Sequence, residues 1–195
     1  MRLVVGISGA SGAIYGVRLL EVLRAQGVET HLVLSDAARR TLLHETGRTI
    51  DAVRGLARQV HENADIGAAI ASGSFRHDGM VIAPCSIKTL SAVAHSFSSN
   101  LLLRAADVTL KERRPLVLMV RETPLHLGHL RLMVQAAEIG AVLLPPVPAF
   151  YQRPATVDDI VDQSVQRALD LLGVEAALSP RWTGDEERER VRSRR

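Results

Sequence analysis

The chain is poor in aromatic residues, has one cysteine and has almost no lysine, and each scarcity removes a class of function. Three Phe, two Tyr and one Trp make up 3% of its 195 residues, too few for a surface that stacks successive bases. Cys85 stands alone, so neither an internal disulfide framework nor a cysteine-rich metal site can form. Of 24 basic side chains only Lys88 and Lys111 are lysines, and 21 acids leave a net charge of +3. That is a preference for arginine, not the basic footprint of a nucleic-acid binder. No apolar run approaches the roughly 18 residues that a bilayer span requires. The first strand begins almost at Met1, without the basic and apolar regions of a secretory signal. The expectation is a cytoplasmic protein with no membrane and no nucleic-acid partner.

Hydrophobic residues make up 47% of the chain and charged residues 23%, enough to bury a large core in one domain. That domain is expected to span residues 1–182. Residues 183–195 mix acid and base and read as a charged, disordered tail.

The most informative feature present is Gly6-Ile7-Ser8-Gly9-Ala10-Ser11-Gly12. Residues 3–7 read as a buried strand and residues 13–25 as an apolar-periodic helix. The residues between are too small to block a ligand's approach to the backbone, and free N–H groups at a helix start favour an anion. The spacing G-x-x-G-x-x-G departs from the G-x-G-x-x-G dinucleotide fingerprint.

Further apolar runs alternate between strand-like (29–34, 80–83, 115–120, 141–144) and helix-like (36–45, 86–95, 100–112, 125–138, 157–172). Between residues 47 and 77 the pattern is weaker, with a short helix near 51–56 and a strand near 59–61. Strands separated by helical runs predict a mostly parallel sheet covered on both faces. Pro84 is expected to end the strand at 80–83.

Polar residues gather after the strands. Ser35 follows the second, Pro84-Cys85-Ser86-Ile87-Lys88-Thr89 the third apolar run, Arg121-Glu122-Thr123-Pro124 the next, and Phe150-Tyr151-Gln152-Arg153 a proline-rich segment. Ligands of open parallel sheets bind at the carboxyl ends of strands, so this asymmetry points to a small-molecule site. Ser86 and Thr89 can cap a helix or hold a phosphate. Arg121 and Glu122 can serve a ligand or pair with each other. Lys111 and Arg104, seven residues apart, share a helix face and are either functional or solvated. Cys85 after a buried strand reads as a small hydrophobe. His126 and His129 have helical spacing but no third ligand nearby, so no metal is expected.

Taken together, the motifs resemble the UbiX family of flavin prenyltransferases over nearly the whole chain. They are residues 6–13, Ser35 with Ala37-Ala38, residues 84–90, Arg104-Ala105-Ala106-Asp107-Val108, residues 110–117, residues 121–125 and residues 145–151. The resemblance implies a flavodoxin-like or Rossmann-like three-layer sandwich, assembled as a homododecamer with sites at subunit contacts. It implies transfer of a dimethylallyl group from dimethylallyl phosphate to reduced FMN, closing a fourth ring through N5 and C6. The product, prenylated FMN, would serve a UbiD-type decarboxylase.

By the same resemblance, Gly9, Ala10, Ser11, Ser35, Ser86, Ile87, Lys88, Thr89 and Arg121 should contact FMN. Tyr151 and Arg167 should hold the donor phosphate, with Lys111 and Arg104 from a neighbouring subunit, and Trp182 should lie near the prenyl pocket. Ser11, Glu45, Glu122 and Lys111 should act at the reacting groups, with no metal. Two other classes compete. Flavoprotein cysteine decarboxylases share the fold, but their Pro-Ala-Ser-Ala-Asn-Thr signature stands here as residues 84–89, without its Asn. A non-catalytic FMN-binding partner subunit of a decarboxylase would not need Lys111, Tyr151 and Arg167 together.

Overall fold

The four central strands are rich in Val, Leu, Ile and Met whose side chains alternate between two buried faces, and with two short, partly exposed edge strands they pair into one sheet. The structure is a computed structural model that describes residues 1–182 and Gly184; the rest of the expected charged tail lies outside the described residues. In chain order the elements are β1 (Arg2–Ile7), α1 (Ala13–Ala25), β2 (Glu29–Leu34), α2 (Asp36–Thr46), α3 (Ile50–Arg54), β3 (Gln59–His61) and β4 (Gly79–Cys85). They continue with α4 (Ile87–Ala94), α5 (Leu101–Lys111), β5 (Leu116–Val120), α6 (Leu127–Glu138), β6 (Val142–Leu143) and α7 (Val157–Leu171).

The strand order is β3-β2-β1-β4-β5-β6, and every pairing is parallel. This is the doubly wound α/β class that the alternating pattern predicts, in the order of a dinucleotide-binding sheet. Leu3, Val5, Ile7, Leu32, Leu34, Val81 and Val117 face α1, α2, α3 and α7. Val4, Val33, Met80, Ile82, Leu116 and Leu118 face α4, α5 and α6. Three layers result, because helices that cross between parallel strands must cover both faces.

Pro84 does not end its strand. β4 continues to Cys85, with a register shift against β5 between Ile82 and Cys85. Pro84 has no N–H to offer the ladder, but its carbonyl accepts from the backbone N–H of Ser8 at 3.2 Å, and that of Cys85 accepts from Arg121 N–H at 3.0 Å. Both flanking strands therefore stay joined to it. Helix α6 starts at Leu127, two residues later than expected, where His126 caps it by accepting from Gly128 N–H at 3.0 Å.

Candidate functional site

The chain winds outward from β1 to β3, then returns to lay β4 on the other side of β1. The carboxyl ends of β1 and β4 are thus the switch point, where ligands of such sheets bind. Ser8, 1% exposed, stitches them together. Its hydroxyl donates to Pro84 O at 2.8 Å and accepts from Ser86 N–H at 2.8 Å. The sequence marked Ser8 only as a small turn residue; its role as a strut depends on a partner 76 residues away.

The glycine turn lies flat against the start of α2. A Cβ on Gly9 would stand 2.2 Å from Ala37 Cβ, and Gly12 has a φ of 97°, a conformation suited to glycine. Gly12 is the N-cap of α1 but offers no side chain. Glu45, at the end of α2, does the capping: its Oε2 accepts from Gly12 N–H at 2.8 Å and Ala13 N–H at 2.9 Å. The N–H groups expected to be free for a ligand anion are therefore taken by a carboxylate of the chain itself. Burial pushes the Glu45 carboxyl up, but the Ser11 hydroxyl, the two N–H groups and the Arg121 charge outweigh it and hold the group below the usual glutamate range.

Arg121 follows β5 and reaches this same corner, its Cγ 3.9 Å from where a Gly12 Cβ would be. No ion pair joins it to Glu122 among the described residues, so the local-pair reading does not hold. Glu122 instead accepts from Thr123 N–H at 3.1 Å. Tyr15 belongs to the same group. Its half-buried ring abuts Gly12, and burial raises its phenol against the opposing influence of Ser164 and Arg121. Nothing in the spacing of the sequence singles Tyr15 out.

Beside this corner a cavity of about 840 Å³ collects Gly9, Ser35, Ser86, Lys88 and Thr89 from the predicted flavin contacts, a size within the roughly 300–1,000 Å³ range of small-molecule sites. The amino ends of α2 and α4 both open here. Ser35 accepts from Ala38 N–H at 3.1 Å and Ser86 from Thr89 N–H at 3.3 Å, so both hydroxyls do cap helices. Capping uses a lone pair and leaves the Ser35 O–H free to donate. Lys88 is exposed at the rim. Ala10, Ser11, Ile87 and Arg121 do not line this cavity; Ser11 and Arg121 belong to the Glu45 corner.

Asn63, Phe97 and Asn100 also line the cavity. Asn100 caps α5, and Asn63 ties down its start by accepting from Leu101 and Leu102 N–H groups at 2.9 and 3.1 Å. The sequence pattern counted Asn100 inside the helix at 100–112, whereas it stands just before α5 as its cap; Asn63 lies in the irregular stretch after β3 and carries no local signal.

A second cavity, of about 440 Å³, holds Tyr151, Arg167 and Trp182. Tyr151 and Trp182 meet edge-to-face with ring centroids 5.6 Å apart. This cavity shares no lining residue with the first. Lys111 and Arg104 line neither. Lys111 pairs with Glu112, and Arg104 with Asp107 at 2.7 Å and the carbonyl of Ala71 at 3.2 Å. One chain therefore carries the flavin-type cavity, the donor-type cavity and the Lys111 face as separate clusters.

Cys85 is fully buried and burial drives its thiol pKa upward, which makes it a packing residue. The rings of His126 and His129 lie 3.6 Å apart between centroids. Among the described residues, no group of three or more His, Cys, Asp or Glu is placed to hold a metal ion, and no helix is long and apolar enough to cross a membrane.

The family model described as Flavoprotein matches residues 1–169. The chain is 68% identical over 194 residues to the flavin prenyltransferase UbiX of Thauera aromatica, covering 100% of both chains. It superimposes on the crystal structure of AnUbiX (PadA1) in complex with FMN and dimethylallyl pyrophosphate with a TM-score of 0.92 and 49% identity, over 94% of this chain and 97% of that one. A dodecameric FMN-dependent UbiX-like decarboxylase from Escherichia coli O157:H7 matches with the same score and identity, over 94% of this chain and 100% of the other.

Proposed function

The chain belongs to the UbiX family of flavin prenyltransferases within the flavoproteins, and from that premise we propose that it transfers a dimethylallyl group from dimethylallyl phosphate to reduced FMN. The product, prenylated FMN, is passed to a UbiD-type decarboxylase. The observation that carries this reading is the division of labour on the chain. A cavity at the switch point is lined by Gly9, Ser35, Ser86, Lys88 and Thr89, and a separate cavity combines a cation, a phenol and an indole. A non-catalytic flavin carrier needs only the first.

The first cavity fits FMN. Two helix amino ends, a lysine and serine hydroxyls suit a phosphate monoester, and Gly9 keeps the floor close to α2. The phosphate belongs at the α2 and α4 ends and not at α1, where Glu45 already fills the anion position. Reduced FMN, when bound, supplies the nucleophilic ring atoms that accept the prenyl group. Ser11 and Glu45 stand at the edge of this space, with Glu45 held ionised by α1. The Ser11 hydroxyl orients the flavin edge and Glu45 fixes Ser11.

At the donor end, Arg167 and Tyr151 bind the phosphate, and the faces of Tyr151 and Trp182 exclude water from the prenyl chain. As the C–O bond breaks, charge grows on the phosphate oxygens, and Arg167, with Lys111 and Arg104 of a neighbouring copy, stabilises it without a metal. Glu122, which lines neither cavity of its own chain, is the residue we assign to give a proton to the departing phosphate, reaching it from a neighbouring copy.

Because the clusters are separate on one chain, the complete site forms between copies. The exposed Leu127, Leu130, Val134, Val147, Phe150 and Val157 supply apolar surface for that assembly, and a homododecamer like that of the Escherichia coli relative is the assembly proposed. The test is anaerobic incubation of the protein with reduced FMN and dimethylallyl phosphate, followed by mass analysis of the flavin. An unaltered flavin would leave the carrier reading as the better one.

A further inference from the structure

Helix α7 buries two glutamines, Gln163 and Gln166, 6% and 3% exposed. Polar side chains on an inward face require partners, and theirs lie on two different segments. Gln163 accepts from Ala149 N–H at 3.1 Å and donates to Ala149 O at 3.2 Å, gripping the turn before Tyr151 with both ends of its amide. Gln166 accepts from Leu178 N–H at 2.9 Å and donates to Asp170 Oδ1 at 2.9 Å.

Asp170 in turn receives Arg181 in a two-pronged contact of 2.7 and 3.2 Å. Arg167 reaches it with a single longer contact of 3.3 Å. The Arg181 hydrogen bond, opposed by burial and assisted by Gln166, holds the Asp170 carboxyl below the usual aspartate range. Residues 163, 166, 167 and 170 follow helical spacing, so they form one stripe along α7. On one side of the stripe is the turn carrying Tyr151; on the other is the segment from Leu178 to Trp182.

We propose that Gln166 and Asp170 are positioning residues for the prenyl donor. They hold Leu178 and Arg181, and so fasten Trp182 against Tyr151 as the wall of the donor cavity. By taking Arg181 as its main partner, Asp170 leaves most of the Arg167 N–H groups free for the phosphate. Arg167 keeps 66% side-chain exposure while Asp170 keeps 18%, which matches a presented cation on a partly buried anchor. Gln152 adds a second fastening, donating to Pro180 O at 2.7 Å. This role rests on the donor-site reading given under Proposed function.

Trp182 is the sole tryptophan of the chain, so its fluorescence reports the fastening without any donor present. The experiment uses the full-length protein and the variants Asp170→Asn, Arg181→Ala and Arg181→Lys. It measures acrylamide quenching of Trp182, FMN affinity, and kcat and KM for dimethylallyl phosphate with saturating reduced FMN. Asp170→Asn and Arg181→Ala should raise quenching and raise the donor KM by about five- to twentyfold, as expected for loss of a partly exposed charge-assisted contact.

Their kcat and FMN affinity should stay within about threefold of wild type, and Arg181→Lys, which keeps the charge, should restore much of both signals. Arg181 lies beyond α7, so its variants decide the matter even if Asp170→Asn folds poorly. Wild-type turnover with unchanged KM and quenching in Arg181→Ala would overturn the positioning role alone. A wild-type protein that does not prenylate FMN would overturn the functional reading, and this role with it.

Discussion

Glu45 caps a helix to which it does not belong: its Oε2 accepts from Gly12 N–H at 2.8 Å across 33 residues. The carboxylate thereby sits where a ligand phosphate would otherwise be drawn, and it needs its charge to do so. Its lowered pKa makes the contribution to stability present above the ordinary glutamate value of 4.5 and progressively lost as the pH falls below it. Glu45→Gln should therefore be less stable than wild type at neutral pH, by about 0.3–1 kcal/mol for an exposed charge at a helix end. The two proteins should converge as the pH falls below the ordinary glutamate value and through the lowered one. Urea unfolding of both at several pH values measures this; a gap that does not narrow in acid would mean that the charge is immaterial. Prenylation should fall at least about tenfold in the variant if Glu45 fixes Ser11, through loss of a charge-assisted contact.

Ser8→Ala should damage both stability and flavin binding. The hydroxyl joins Pro84 O and Ser86 N–H, and its removal strands buried groups at the switch point. A cost of about 1–3 kcal/mol follows from leaving such groups unpaired. Flavin affinity should fall with it, because Ser86 and Lys88 enter the cavity directly after this joint. Denaturant midpoints and FMN titration check the pair of effects, and a stable variant with weakened FMN binding would limit Ser8 to the site.

Activity should survive exhaustive EDTA treatment. On the proposed reading the donor phosphate is met by Arg167, Lys111 and Tyr151, and such fixed cations and donors stabilise a leaving group directly. Prenylation assays before and after chelation test this; a loss restored by Mg²⁺ would overturn it.

The fold was legible because its signals are local. Apolar runs of β-branched residues and 3.6-residue periodicity placed β1, β2, α1, α5 and α7 within a residue or two. The flavin-type cavity was legible for a related reason: in a parallel sheet, residues directly after strands converge, so Ser35, Ser86, Lys88 and Thr89 were brought together by topology alone. What stayed hidden depends on distant partners. Pro84 marks a strand end in any local rule, yet neighbours on both sides hold β4 through Cys85. Glu45 offered no sign that it would occupy the α1 end, and Asn63 and Tyr15 have no motif. Separation of the Lys111 face from the Tyr151–Arg167 cavity was expected only through the family resemblance, which assigned Lys111 to a neighbouring subunit; spacing alone does not show it, since both look equally available in one dimension.

Arg167→Ala and Tyr151→Phe should impair use of the donor while sparing FMN. Neither residue lines the flavin-type cavity, so FMN affinity should match wild type. Loss of a charge-assisted contact to phosphate should lower donor kcat/KM by about ten- to a hundredfold for Arg167→Ala, from the roughly 1.5–3 kcal/mol such contacts contribute. Steady-state kinetics at saturating reduced FMN give the answer. Equal wild-type values in both variants would make Arg167 a solvated helix residue and Tyr151 a packing residue of the proline-rich turn.

The arrangement between copies makes the strongest demand. If Lys111 reaches a site whose Arg167 belongs to another chain, two inactive variants should rescue each other. Lys111→Ala and Arg167→Ala, each assembled alone, leave every site with one defect. Mixed before assembly in equal amounts, they should give about a quarter of sites with both residues intact, if chains combine at random in a closed oligomer. Recovery should require exchange of subunits, so mixing preassembled oligomers should recover little at first. Dissociation and joint reassembly should recover more, and the activity of the reassembled mixture is the measurement. If one chain supplied both residues to the same site, no mixture could contain an intact site, and activity would stay at the level of the separate variants. That outcome would contradict the separation seen between the Lys111–Glu112 pair and the Tyr151–Arg167 cavity, and would require a rearrangement within the chain to bring them together.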